Sequence, residues 1–278
     1  MPLIGISLLL VTVSCKKPEG TTAVENANST PPNAASPSIT ADKIVERYRA
    51  LDTARDSIVK MRAEIVASEN VVEMNAPRHI QLTVYRKRQP DGRLLMLVEF
   101  TAPGEERDRD GLITVFPDGR IEAVRYVQST DSFIVSSDPT SEDALFGLTT
   151  QELADGQVDK YDFSLAGEET HDGTPVFRLN GALKQAAESK FSRVVLLISK
   201  QDFTALEAEF YDNHQELARR VTVSKFEQIA GHWTRTRWTI DNRARQKRIV
   251  FEAVDVKYDQ DLSDSVFTRD HLKKIAAR

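Results

Sequence analysis

Among the side chains of this 278-residue chain that could do chemistry, the one thiol stands out first. Cys15 follows an apolar run from Leu3 to Val13 and the small residue Ser14, and it precedes Lys16 and Lys17. With a single cysteine, no disulfide can form within the chain, and a multi-cysteine zinc site is excluded. Glu106, Asp108, Asp110 and Gly111 imitate the start of a calcium loop, with Ile113 at the apolar position. Pro117, however, stands where a bidentate glutamate is needed, so a charged hairpin loop is the better reading and no metal is expected. The five histidines (His79, His171, His214, His232 and His271) are scattered and make no paired helical metal motif. There is no nucleophile elbow, glycine-rich phosphate loop or dinucleotide fingerprint. Neither catalytic residues nor a cofactor are expected, and the chain reads as a non-enzyme.

The basic run Arg235, Arg237, Arg243, Arg245, Lys247 and Arg248 lies near Trp233 and Trp238. Strand alternation accounts for most of it, with Arg235 and Arg237 on a wet face while Thr236, Trp238 and Ile240 take the dry one. Contact with lipid headgroups or an acidic partner is the alternative. The net charge of −5 gives no basic excess to track a phosphate backbone, so nucleic acid is not expected as a partner.

A membrane-spanning helix needs about 20 apolar residues, and the run before Cys15 is too short to span but suits a signal h-region. The segment resembles the lipobox of bacterial lipoproteins, in which the cleaved chain begins with a lipidated cysteine. The resemblance implies a signal peptide over residues 1–14, lipidation at Cys15 and a membrane lipid anchor. No Asp follows Cys15, which in that picture favours the outer membrane over retention at the inner one. The alternative is an ordinary secretory signal cleaved near Ser14, with Cys15 a bystander.

Residues 15–39 read as the lipidated cysteine and a flexible tether. Lys16 to Ser38 carries Pro18, Pro31, Pro32 and Pro37 among small polar residues, a composition that cannot offset its ordering entropy. Its reach is roughly 5 to 6 Å times the square root of its length. The remaining residues, 40–278, form the candidate folded domain. A helix is expected from Thr40, with Asp42 in its first turn and Ile44, Val45, Tyr48 and Leu51 at helical spacing. From Val59 the period changes to two, through Met61, Ala63 and Ile65, and the alternation recurs at Ile80, Leu82 and Val84; at Leu95 and Leu97; at Ile113 and Val115; at Ile121 and Ala123; and at Leu206, Ala208 and Phe210. Turn chemistry falls at Pro90-Asp91-Gly92, Pro117-Asp118-Gly119, His171-Asp172-Gly173 and Asp212-Asn213. A second helix is expected over roughly Ser141 to Ala154 and a last one over Arg269 to Ala276.

About a dozen antiparallel strands are too many for a flat sheet. The expected fold class is mainly β (α+β): a curled antiparallel sheet or incomplete β-barrel with helices covering its concave face. From Leu145 onward the chain resembles the LolA and LolB type of lipoprotein carriers and receptors, in the branch called outer membrane lipoprotein-sorting proteins. The residues that carry this are Leu145-Phe146-Gly147-Leu148, Tyr161 to Leu165, Gly167-Glu168-Glu169, Gly173, Phe191 to Leu196, Glu209 to Asp212, and Val256 to Phe267.

The resemblance implies a half-barrel whose apolar face holds the acyl chains of lipoproteins or phospholipids. It further implies an exported protein facing the periplasm that works with an envelope transport complex. Candidate cavity positions from the dry faces and the lid are Val59, Met61, Ile65, Leu82, Leu97, Phe116, Phe146, Leu148, Leu206, Phe210, Trp238 and Ile240. A closed core obeys the same alternation as a hollow one, so a non-enzymatic scaffold docking an envelope complex through a filled sheet remains the rival reading. For Cys15, radiolabelled palmitate fed to producing cells is expected to label the protein, and Cys15→Ala is expected to abolish the label; an unlabelled wild-type chain would exclude lipidation.

Overall fold

The computed structural model describes residues 39–67, 77–138, 157–185, 187, 189–243 and 245–278, and residues 39–278 form one compact unit. The expected helix over Ser141 to Ala154, with Phe146 and Leu148, lies outside the described residues.

Helix α1 (Ala41–Arg49) starts where a side chain can satisfy its open end: the backbone N–H of Lys43 donates to the Thr40 hydroxyl at 3.3 Å, and Asp42 occupies the acidic first turn. Thirteen strands then build one antiparallel sheet. The first six are β1 (Asp56–Ala67), β2 (Arg78–Arg88), β3 (Leu94–Ala102), β4 (Gly111–Val115), β5 (Ile121–Val127) and β6 (Ser132–Ser136). The other seven are β7 (Tyr161–His171), β8 (Thr174–Leu183), β9 (Arg193–Ser199), β10 (Ala205–Tyr211), β11 (Leu217–Ile229), β12 (His232–Asn242) and β13 (Lys247–Tyr258). A short C-terminal helix, α2 (Arg269–Ala276), ends the fold, capped by the Thr268 hydroxyl, which accepts from His271 N–H at 3.2 Å.

The spatial order is β6-β5-β4-β3-β2-β1-β13-β12-β11-β10-β9-β8-β7. Two meanders thus meet at their first and last strands, and β6 and β7 are the outer strands of an open, curled sheet. The turns sit where the sequence places them: Gly92, Gly119 and Gly173 adopt φ of 85°, 84° and 80° in the β2–β3, β4–β5 and β7–β8 connections. That conformation admits glycine without a Cβ clash. Register shifts at Lys60/Met61, Gln81/Leu82, Leu165/Gly167 and Phe210/Tyr211 insert extra residues. Such bulges bend strands and increase their twist, which is how so many strands curl.

The two meanders join through β1 and β13, paired from Ser57↔Tyr258 to Ala67↔Lys247. Asp56 locks the end of this seam. Its carboxylate is 4% exposed and accepts the N–H groups of Gln260 at 2.7 Å and Leu262 at 3.1 Å, while its own carbonyl accepts Asp259 N–H at 3.0 Å. Hydrogen bonds to a charged acceptor contribute more than neutral ones, and a buried donor left without a partner is costly. Asp56→Ala is therefore expected to destabilise the domain by about 2–4 kcal/mol in chemical denaturation, with Asp56→Asn recovering part of the loss; an unchanged midpoint for the alanine variant would show that the seam does not need this latch.

Candidate functional site

Because successive strand residues point to opposite faces, the core clusters assign each side chain to a face. On the face that carries α1, the first cluster combines Ala41, Ile44 and Val45 of the helix with Tyr161, Leu179, Val194, Leu196, Ile198 and Phe210 of β7–β10. A second cluster on that face (Ala63, Ile80, Leu82, Val98, Phe100, Ile240, Ile249 and Phe251) consists, among the described residues, of strand positions only. Val221 packs against both.

The register shows how they join. Ile65, Ile249, Ile240, Val221, Ala208, Leu196, Leu179 and Leu165 are successive cross-strand partners from β1 through β13 to β7. This is an unbroken apolar row over eight strands, about 34 Å long at some 4.8 Å per strand. Beside it the Trp238 and Phe251 rings stack with centroids 5.0 Å apart and an interplanar angle of 14°.

Six of the sequence-derived cavity positions come together on this face. Met61, Ile65 and Trp238 are half-buried against the second cluster, Leu82 and Ile240 belong to it, and Phe210 lies in the first. Val59 shares the face, opposite Val84 on β2 and Val256 on β13.

Leu97 corrects an expectation, since it points to the opposite face, fully buried with Leu112, Val124 and Tyr126 beneath Leu272 and Ile275 of α2. Strand β3 has two dry faces, and the α1 side is taken by Leu94, Met96, Val98 and Phe100. Alternation alone could not say which set belonged there. Phe116 is likewise not a face residue: it opens the β4–β5 turn, donating its N–H to the Arg120 carbonyl at 2.8 Å, with the Arg120 guanidinium 4.6 Å from its ring centroid. Leu206 is half-buried at the bulge between Ala205 and Glu207.

Sequence patterning missed the polar clamp that straps the α1 segment across the sheet. Asp52, just past α1, receives Arg86 in a bidentate pair at 3.1 and 2.6 Å and also pairs with Arg88. Arg47 lies over the Phe203 ring at 4.7 Å, Arg49 pairs with Asp159, and the Thr53 hydroxyl is 3.0 Å from His232 Nδ1. Burial by itself would raise the Asp52 carboxyl, but the hydrogen bonds and charges of Arg86 and Arg88 outweigh it and hold the group below its ordinary range. The only sequence sign of this clamp is the pair of arginines interrupting the apolar alternation of β2.

Charge is concentrated on the other face. Glu209 accepts from Arg220 at 2.5 Å and from the Tyr211 hydroxyl at 2.8 Å, Arg178 pairs with Glu169 at 3.2 Å, and the Arg193 guanidinium stacks 3.6 Å from the Tyr211 ring centroid. A polar cavity of about 230 Å³ lies between β3 and α2, lined by Glu99, Phe100, Thr101, Asp110, Ile275 and Arg278. Next to it the Tyr85 hydroxyl, 3.1 Å from Glu99, is pushed up to about 12 by burial and by the Glu99 charge and hydrogen bond. Asp110 is used structurally, accepting Phe100 N–H at 2.6 Å, and Glu106 is buried against Arg78 and Arg109. Among the described residues no group of three or more His, Cys, Asp or Glu could hold a metal, and no helix is long and apolar enough to cross a membrane.

A family model described as "Uncharacterized protein" matches residues 92–274. No curated protein matches the chain. Among solved structures, the chain is similar to a DUF1329 family protein from Desulfovibrio piger, with 23% identity, coverage of 82% of this chain and 96% of that one, and a TM-score of 0.72. It is similar to a domain from Vibrio parahaemolyticus described as an outer membrane lipoprotein-sorting protein (19% identity, 83% and 97% coverage, TM-score 0.73). A LolA superfamily protein from Nitrosomonas europaea matches at 21% identity, 84% and 100% coverage, and a TM-score of 0.64. At these identities the likeness is one of fold, and the curled sheet is LolA-like along most of the chain.

The clamp is expected to weaken on acidification. A carboxyl held low in the folded state stabilises fully above its unfolded value, about 3.9, and loses that contribution as pH falls through the folded value. Asp52→Asn is expected to be less stable than wild type by about 1–2 kcal/mol at pH 7, with the two converging below pH 4; a gap that persists undiminished at pH 2–3 would contradict the assignment.

Proposed function

The chain belongs to the family of uncharacterized proteins matched over residues 92–274, and from its LolA-like fold we propose that it binds acyl chains of lipids or lipoproteins on the α1 face of its sheet. In this reading the protein is exported, anchored through lipidated Cys15 and held by its tether at the periplasmic side of the outer membrane. There it serves lipoprotein sorting or lipid transfer, without catalysis and without a cofactor.

The observation that carries the reading is the apolar row across eight strands. A membrane leaflet is about 15 Å deep in hydrocarbon, half of a core of about 30 Å, so the row offers about twice the length of a chain that fills one leaflet. Burying a methylene group is worth about 0.8 kcal/mol relative to water, whereas exchange between a greasy sheet and a bilayer is nearly balanced. That balance lets cargo enter and leave without a chemical step. The Vibrio parahaemolyticus domain, described as lipoprotein-sorting, has the same fold and supports the same class of cargo.

One observation favours the scaffold reading instead: Ile80, Leu82, Phe100 and Ile249 are each only 1% exposed, as expected of a closed core. The two readings part on whether ligand enters. Mass spectrometry of protein purified in mild detergent is expected to recover co-purified lipid or fatty acid, and Met61→Glu, at a half-buried position on the α1 face, is expected to reduce it at least tenfold while the far-UV circular dichroism is unchanged. Protein that emerges lipid-free and ignores added fluorescent fatty acid would favour the filled scaffold.

A further inference from the structure

The turn joining β12 to β13 concentrates positive charge beside the apolar row. Residues 243–248 contain Arg243, Arg245, Lys247 and Arg248 and no acidic residue, on a chain whose net charge is −5. Arg243, Arg245 and Lys247 are exposed, and Arg248 is half-buried. Backbone hydrogen bonds flank the turn. Arg243 N–H donates to the Ala218 carbonyl at 3.0 Å, Gln246 N–H to the Arg243 carbonyl at 3.1 Å, and Arg245 N–H to the side-chain oxygen of Asn242 at 3.2 Å. Asn242 is itself 3% exposed, so a buried amide fixes the base of the cationic turn.

Its position gives it meaning. The pair Asn242↔Lys247 lies two residues along the strands from Ile240↔Ile249, which is part of the apolar row. Arg219, the cross-strand neighbour of Asn242 on β11, is 2% exposed with its guanidinium 5.3 Å from the Phe191 ring centroid, and it adds a buried cation on the same flank of the row. Among the described residues, the acidic groups near this end of the strands include Asp241, opposite Arg248 on the strand pair, and Asp212 and Glu216 of the β10–β11 turn, where the Asp212 carboxylate accepts the N–H groups of His214 and Glu216.

We propose that the β12–β13 turn docks the protein on an anionic lipid surface, presenting Arg243, Arg245 and Lys247 to headgroup phosphates so that acyl chains reach the row beside it. This deepens the acyl-binding reading and rests on it for the choice of partner. A nucleic acid fits less well, because the cations occupy one turn of an otherwise acidic protein and residues 243–248 include no aromatic ring on which bases could stack.

The test uses the full chain carrying Cys15→Ala, so that no lipid anchor contributes, with vesicles of phosphatidylcholine alone or containing 30 mol% phosphatidylglycerol. Binding is expected only to the anionic vesicles and is expected to weaken with added salt. With each basic residue near an anionic surface contributing about one kcal/mol, Arg243→Gln/Arg245→Gln/Lys247→Gln is expected to lose on the order of 100-fold in affinity. Arg235→Gln/Arg237→Gln, on the opposite face of β12, is expected to change it less than twofold. Uptake of a fluorescent fatty acid from solution is expected to persist in the triple variant. Uptake without phosphatidylglycerol-dependent binding would overturn the docking proposal alone, and loss of uptake in wild type would overturn the acyl-binding reading. Equal affinity of the wild-type chain for a 20-base-pair DNA would assign the turn to general polyanion binding and overturn the choice of a lipid surface.

Discussion

The pairing of β1 with β13 is the interaction on which the other features depend. Each meander closes its own hairpins locally, but the apolar row reaches the first meander only because Ile65 on the first strand meets Ile249 on the last. The partners lie almost the whole domain apart in sequence, so this seam carries the largest loop-closure cost in the fold. It is also stabilised from both directions: apolar pairs such as Ala63↔Phe251 on one face, and the buried Asp56 carboxylate with its backbone donors at one end. A chain whose meanders formed but did not dock would divide the second cluster, with Ala63, Ile80, Leu82, Val98 and Phe100 on one side and Ile240, Ile249 and Phe251 on the other, each half ending at an exposed strand edge.

Given that seam, the two faces are finished differently. The α2 side is closed over β3–β5 by Leu272 and Ile275 and covered over β8–β11 by long charged side chains lying on Val176, Val195 and Leu197, which are at most 4% exposed. Arginine stems are well suited to this, since they cover apolar surface and keep their heads paired or in water. The α1 side carries the apolar row from β1 to β7, with the buried polar side chains Arg219 and Asn242 beside it, and α1 is held across it by paired charges as well as packing. Ion pairs near solvent contribute modestly and can re-form in water, so this fastening is weaker than apolar packing of the same segment would be. The row itself carries no polar side chain.

Much of this was legible in the sequence where the signal is local. Thr40 with Asp42 announced α1, the Asp-Gly turns announced three hairpins, and the final helix falls at Arg269–Ala276 as the pattern predicts. The resemblance carried by residues after Leu145 also pointed to a fold that the solved structures match over most of the chain. What stayed hidden was non-local. The side of the sheet that Leu97 occupies stayed open because β3 is dry on both faces, and nothing in its alternation reports that α2, far along the chain, covers one of them. Phe116 reads as the next β-prone residue after Val115, yet the Phe116–Arg120 hydrogen bond makes it the first residue of a turn. The Asp52 clamp needs three residues from two elements, and no periodicity encodes that.

If the α1 face admits an acyl chain along this row, Trp238, stacked on Phe251 beside it, is a built-in reporter. Trp233, the other tryptophan, has the opposite strand parity and faces away. Titration of a Trp233→Phe variant with a brominated fatty acid should quench Trp238 fluorescence saturably, while a Trp238→Phe variant that retains Trp233 should show no saturable quenching. Undiminished Trp238 emission at saturating ligand would contradict the account, leaving the α1 face as a closed core.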